Sequence, residues 1–138
     1  MPSGSCWCGN VKYEFEGDSS NVVQCHCLSC QKITGALYTA NIPVPRDKLK
    51  ITSGSPVSHT QKHEDGFNLT VNFCSSCGSV LYKQADADMF APISLVQSGT
   101  LDGPAKDKVS RPSTELNVKL RASWLPEVSG AAQKQGFD

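Results

Sequence analysis

The sequence predicts an all-β domain, with short strands in packed antiparallel sheets, few helical turns and metal as reinforcement. Three observations carry that prediction. Apolar residues recur at period two, turn residues interrupt them every few positions, and the seven cysteines fall into three tight clusters. Alternation of apolar and polar residues marks a half-buried strand, and many such runs between turns argue for a sandwich or distorted barrel. At 138 residues the chain makes one domain, 1–138, with a core small enough to gain from a metal cross-link.

The elements follow in order. Val11, Tyr13 and Phe15 alternate with Lys12, Glu14 and Glu16 and read as a strand that ends at the Gly17-Asp18 turn. Residues 22–25 and 36–42 form shorter strands, with a helical turn over Leu28–Thr34 between them. Pro43 and Pro45 flank Val44, which places that stretch at an edge or in a loop. Strands over 49–52 and 57–61 are separated by Ser53-Gly54-Ser55-Pro56. His63-Glu64-Asp65-Gly66 makes a hairpin turn into Phe67, Leu69, Val71 and Phe73, a strand that delivers Cys74. Strands over 80–83 and 93–97 follow, with a helical turn near 85–89 between them and a turn at Asp102-Gly103-Pro104 after them. Leu116, Val118 and Leu120 alternate with Asn117, Lys119 and Arg121 and predict a last strand. Beyond about residue 130 the chain is polar and reads as a flexible tail.

The cysteines carry the chemistry. Cys6 and Cys8 form C-x-C, Cys25, Cys27 and Cys30 form C-H-C-x-x-C, and Cys74 and Cys77 form C-x-x-C. Residues i and i+2 of an extended segment point to one side, and a C-x-x-C turn also aims two sulfurs at one ion. Gly9 and Gly78 follow Cys8 and Cys77 and supply the backbone angles such turns need. A closed structural zinc takes four thiolates, whereas a catalytic one takes three protein ligands and keeps a position open. Seven divides as four plus three. The expectation is two Zn²⁺ ions, one structural on Cys6, Cys8, Cys74 and Cys77 and one catalytic on Cys25, Cys27 and Cys30.

Other uses of cysteine fit less well. Disulfides leave one thiol over, and a redox C-x-x-C lacks its usual βαβ context. Met1–Asn10 shows neither a basic nor an apolar leader region, so the expected setting is the reducing cytoplasm. By the same reading Asn68-Leu69-Thr70 is a sequon by chance. Net charge is zero with no basic run, which argues against a nucleic-acid partner, and no stretch approaches a membrane span. The expected partner is a small-molecule substrate.

Three thiolates on Zn²⁺ leave a charge of minus one, so bound water is acidified less than at a His₃ site. A thiol suits this soft site better. The sequence-level hypothesis is capture of a thiol such as glutathione and attack on a carbonyl carbon held about 3–3.5 Å away. Gln31, Lys32, Thr34 and Gly35 follow the trio and are the candidate substrate contacts. Lys32 either holds a carboxylate or lies in solvent, and Thr34 either caps a turn or moves a proton. His26 points away from its flanking cysteines if that segment is extended, and reads as a solvent-facing or hydrogen-bonded imidazole rather than a ligand. His59 and His63 sit in a polar strand or turn, and a place near the site is the less favoured alternative for either. Trp7 and Trp124 read as core packing or pocket wall, and Arg121 as exposed.

The order C-x-C-G, C-H-C-x-x-C-Q-K-x-T-G, F-C-x-x-C-G-S resembles the glutathione-dependent formaldehyde-activating enzymes, a family that includes centromere protein V. Ser98-Gly99-Thr100-Leu101-Asp102 and Arg121-x-x-Trp124-Leu125 extend the match to nearly the whole chain. The resemblance implies a zinc-containing β-tent (Mss4-like) fold and the same division of zinc ligands. It also implies carbon–sulfur lyase chemistry, the reversible addition of glutathione to formaldehyde giving S-hydroxymethylglutathione. Against it stand a non-catalytic zinc scaffold and a different zinc-dependent lyase, hydrolase or isomerase acting on a small metabolite.

Overall fold

A computed structural model describes all of Met1–Asp138. In chain order the first elements are β1 (Ser3–Ser5), β2 (Lys12–Phe15), β3 (Val23–Cys25), α1 (Leu28–Thr34), β4 (Thr39–Pro45), β5 (Leu49–Ser53) and β6 (Val57–Lys62). Then come β7 (Asn68–Phe73), β8 (Val80–Ala85), β9 (Ile93–Gln97), α2 (Gly103–Asp107), β10 (Thr114–Leu116) and β11 (Ala132–Gln133). A small sheet runs β1-β2-β5, and a large one runs β11-β10-β3-β4-β9-β8-β7-β6. All pairings are antiparallel except those of β10 with β3 and β11. This is the all-β architecture that the alternation predicts and the Mss4-like fold that the family resemblance implies.

The core lies between the sheets. Tyr13 and Phe15 of β2 pack with Ile42 and Val44 of β4, Leu81 of β8 and Val96 of β9, none more than 1% exposed. Each such side chain contributes about 1.5–3 kcal/mol on burial. Within the small sheet the packing at Gly4 of β1 is so close that a Cβ there would sit 2.2 Å from the hydroxyl of Tyr13 on β2 and 2.6 Å from Thr100 O. Strand alternation then sends Asn41 and Pro43 of β4, and Ile93 and Leu95 of β9, to the other face of the large sheet, where they line a cavity.

Three local expectations need correction. The 116–120 strand stops at Leu116, because Asn117 adopts φ +56 and a 3₁₀ turn, Val118–Leu120, follows. Asparagine tolerates that left-handed conformation, so alternation alone misreads the segment. Pro43 and Pro45 lie inside β4 rather than in a loop, in the part of the strand with one unpaired edge, as the edge alternative expected. They fall beyond Asn41, the last residue paired with β3, while the other edge still pairs with β9. Prolines two apart put both missing donors on the same strand edge, so neither interrupts that ladder. Lastly, the segment after residue 130 is tied into the fold through β11 and Phe137.

One carboxylate anchors that last segment. Glu115 is fully buried and accepts from His26 Nε2 (2.8 Å), Gln133 Nε2 (2.7 Å), the Val128 N–H (2.8 Å) and Arg121 Nη2 (3.1 Å). Arg121 is therefore an ion-pair partner rather than a free surface charge, with its side chain 17% exposed. Burial alone would raise the Glu115 pKa, but the bonds from Gln133, Val128 and His26, with the Arg121 charge, bring it down to about 2. A depressed value means that the carboxylate stabilises the fold above its ordinary pKa of 4.5 and that this contribution is lost as pH falls toward 2. Glu115→Gln should therefore cost about 3–5 kcal/mol at pH 7, because it removes one partner of a buried ion pair. Urea denaturation of both proteins from pH 7 to 2.5 checks this, and the gap between them should narrow only below about pH 4.5.

Candidate metal centre

Two turns from different sheets supply the four-cysteine group. Cys6 and Cys8 stand between β1 and β2, and Cys74 and Cys77 between β7 and β8. The Gly9 N–H donates to Cys6 O (3.0 Å) and the Gly78 N–H to Cys74 O (2.9 Å), with φ +82 and +78 at the glycines. Those left-handed turns are what the sequence pattern called for. The sulfurs of Cys6 and Cys8 are 3.6 Å apart and those of Cys8 and Cys74 3.7 Å. Four sulfurs about 2.3 Å from a zinc ion would be separated by about 3.8 Å, so the spacing fits. The Val11 N–H donates to Cys6 Sγ (3.3 Å) and the Ser76 N–H to Cys74 Sγ (3.4 Å), as acceptor thiolates require. Hydrogen bonds from the Ser79 side chain and backbone lower the Cys77 thiol to about 5.

The second group gathers at the start of α1. Cys25 ends β3, Cys27 is the N-cap and Cys30 lies in the helix, all three buried. The Cys30 N–H donates to Cys27 Sγ (3.3 Å), capping the helix with sulfur. The Cys27 and Cys30 sulfurs are 2.9 Å apart, closer than a zinc tetrahedron edge. Asn117 Nδ2 faces Cys25 Sγ at 3.4 Å and Lys83 Nζ faces Cys30 Sγ at 3.7 Å. Each sulfur of the trio thus meets an N–H donor, a setting built for anions. Hydrogen bonds from Cys25 and Cys27, then the Lys83 charge, push the Cys30 thiol strongly down. All seven cysteines are free of disulfides. The donor sets of both groups fit a thiophilic metal.

Nothing in the protein closes the trio. Ligand atoms of Cys27, His63 and Glu64 do lie within 4.8 Å of one another, but His63 is not within that reach of all three sulfurs. His63 Nδ1 accepts from the Asp65 N–H (2.9 Å), which assigns the proton of the neutral ring to Nε2. A protonated nitrogen is not a metal ligand. Nε2 lies 2.6 Å from Glu64 Oε1 without hydrogen-bond alignment, and Glu64 also accepts from the Ser29 N–H (3.0 Å) in the first turn of α1. The hairpin turn between β6 and β7 is thereby fastened to the helix that carries the trio.

Over the trio opens a cavity of about 230 Å³. Its walls include Phe67, Phe90, Leu95 and Phe137, with Asn41, His63, Lys83 and Thr114 as polar members. Lys83 is 2% exposed, and no carboxylate lies within ion-pair distance of it. A buried ammonium needs a counter-charge, and the thiolates beside it are the available one. Sequence reading missed Lys83 altogether, since one lysine in a strand carries no signal. It read His63 as a turn residue with a place near the site as the less favoured alternative, and it placed Phe137 in a tail.

The four residues expected to contact substrate lie outside this cavity. Gln31 Nε2 donates to His26 O (3.0 Å), and Thr34 Oγ1 donates to Cys30 O (3.0 Å), so both brace the loop. Gly35 is the left-handed C-cap of α1, at φ +72. Lys32 lines a separate groove with His59 and Lys62. None of these four lines the cavity over the trio. His26 is fully buried against Glu115, hydrogen-bonded as one reading expected but not solvent-facing. Trp7 and Trp124 are 90% and 71% exposed, neither core nor cavity wall.

Comparison with known proteins now bears on the site. A family model described as glutathione-dependent formaldehyde-activating enzyme matches residues 1–119. The chain belongs to this family. The family match takes in every cysteine of both groups, and it ends before β11 and Phe137. A crystal structure of a Rhodobacter sphaeroides protein is similar in fold, at 18% identity and a TM-score of 0.57, covering 73% of this chain and 88% of that one. No curated protein matches. No helix is long and apolar enough to cross a membrane.

Phe137 packs against His63, Phe67 and Phe90 with ring centroids 5.5, 5.7 and 5.2 Å away. Phe137→Ala should lower stability by about 1–2 kcal/mol, part of the full burial value because the residue is half-buried. Urea denaturation of the two proteins under the same metal loading is the check.

Proposed function

We propose that the protein is a zinc-dependent carbon–sulfur lyase that adds a thiol reversibly to a small carbonyl compound. Glutathione and formaldehyde are the pair named in the family description. The observation that carries this reading is the arrangement at Cys25, Cys27 and Cys30: three buried sulfurs, no fourth protein ligand shared by them, and a cavity against them. Zn²⁺ bound there would supply a soft Lewis acid that favours the deprotonated form of an incoming thiol.

The chain's own groups do the rest. Lys83 balances the negative charge of the thiolate set and keeps ammonium protons for a ligand oxygen. Asn41 is not available for that task, because its amide donates to Val23 O and Thr39 Oγ1 and accepts from Gln97. His63 also lines the wall, but its Nε2 is buried beside Glu64, which leaves Lys83 as the donor. As sulfur attacks the carbonyl carbon, a C–S bond forms and the carbonyl π pair moves to oxygen. Donors already in place stabilise that charge without reorganising. The oxygen then takes the proton that the thiol gave up. Seven uncrosslinked cysteines suit the reducing cytoplasm.

Two measurements test this together. Metal analysis should find two zinc ions per chain and about one in Cys27→Ser, with the fold of that variant retained by circular dichroism. Exchange NMR should show formaldehyde and glutathione combining above their spontaneous rate with the wild type, and at the spontaneous rate with Cys27→Ser. Full activity in Cys27→Ser would falsify the reading.

A further inference from the structure

The cavity is larger and more apolar than formaldehyde requires. An apolar cavity of about 150 Å³ accommodates benzene, whereas formaldehyde is little bigger than a water, whose share of the liquid is about 30 Å³. The space here is about 230 Å³. Phe90 meets Phe137 edge to face at 85°, and Phe67 meets Phe137 at 64°, an array that presents ring faces and edges to an occupant. Lys83 is the only lysine, arginine or carboxylate on the wall. A tripeptide thiol, with two carboxylates and an ammonium, would have to leave all three outside, because burying them against these rings is costly.

The geometry points to a ring-sized, uncharged aldehyde as the occupant of this cavity, its ring against the packed cluster of Phe67, Phe90 and Phe137 and its oxygen toward Lys83. The chemistry assigned to that occupant rests on the lyase reading; its size and polarity do not. Addition of a thiol to it forms one C–S bond and turns the carbonyl into a hydroxyl that takes the thiol proton, with no oxidation or reduction. Phe137 lies beyond the region matched to the family, so the family match does not bear on this part of the wall.

The experiment uses the zinc-loaded full chain with benzaldehyde, acetaldehyde and benzyl alcohol, read by NMR titration and, separately, by hemithioacetal formation with glutathione. Benzaldehyde should bind at least tenfold tighter than acetaldehyde. Ala85→Phe, which fills the cavity, should weaken it at least tenfold. Where Ala85→Phe fails to fold, Phe137→Ala should still weaken it about fivefold. Lys83→Met should abolish the preference for benzaldehyde over benzyl alcohol while both still bind. Benzaldehyde binding no tighter than acetaldehyde, or unaffected by Phe137→Ala and Ala85→Phe alike, overturns the inference even if formaldehyde and glutathione react. Tight, variant-sensitive binding of benzaldehyde with no acceleration of any thiol addition upholds the occupant and removes the lyase reading instead.

Discussion

Four sulfurs join the two sheets at one point, and the placement of the site follows from that joint. Cys6 and Cys8 belong to the turn of the small sheet, and Cys74 and Cys77 to a turn of the large one. Cys8 and Cys74 are 66 residues apart in sequence, so a metal there restricts a long loop of the unfolded chain. It also sets the start of β8. That strand pairs with β9 through Tyr82 opposite Val96 and Lys83 opposite Leu95, and β9 pairs with β4. The joint therefore reaches Lys83 by a short run of strand and places its ammonium beside Cys30.

Two buried charges meet the same problem in different ways. Glu115 is surrounded by donors from His26, Val128, Gln133 and Arg121, and its carboxylate is held ionised by hydrogen bonds as much as by charge. Lys83 has only a sulfur at 3.7 Å and the Thr39 hydroxyl at 3.5 Å. The first has both carboxylate oxygens engaged, although His26 Nδ1 and Arg121 Nε beside it have no partner. The second has donors in hand and sits on a cavity wall. Such unequal satisfaction is what separates a group that holds the fold from one that meets a ligand.

Much of this was legible in the sequence. Cysteine spacing encodes metal grouping locally, since two residues of separation on a strand or three on a turn aim sulfurs together without reference to the rest of the fold. The helix over Leu28–Thr34 and the hairpin turn at His63–Gly66 were likewise local matters. What escaped was set by distant pairing. Lys83 lines the cavity only because β8 lies between β7 and β9. Phe137 lines it only because Ala132 and Gln133 pair with β10. Alternation through Leu116, Val118 and Leu120 looked like strand because the pattern does not register a left-handed Asn117. That same turn brings the Asn117 amide to Cys25, so the misread residue is one that touches the site.

The metal loop and the aromatic end of the cavity share an anchor. His26 stands between Cys25 and Cys27, with its ring turned away from them onto Glu115. Gln133 and the Val128 N–H bind the same carboxylate, and they belong to the segment that leads to Phe137. The Asn117 N–H adds a bond to Gly136 O (2.9 Å), one residue before that ring. A residue buried within a sulfur-rich loop and a phenylalanine near the chain end are thus positioned by one side chain on β10. The cysteines and their loop lie within the region shared with the family, and Phe137 lies outside it. Glu115 thus holds the ring that bounds one end of the cavity in register with the sulfurs at the other.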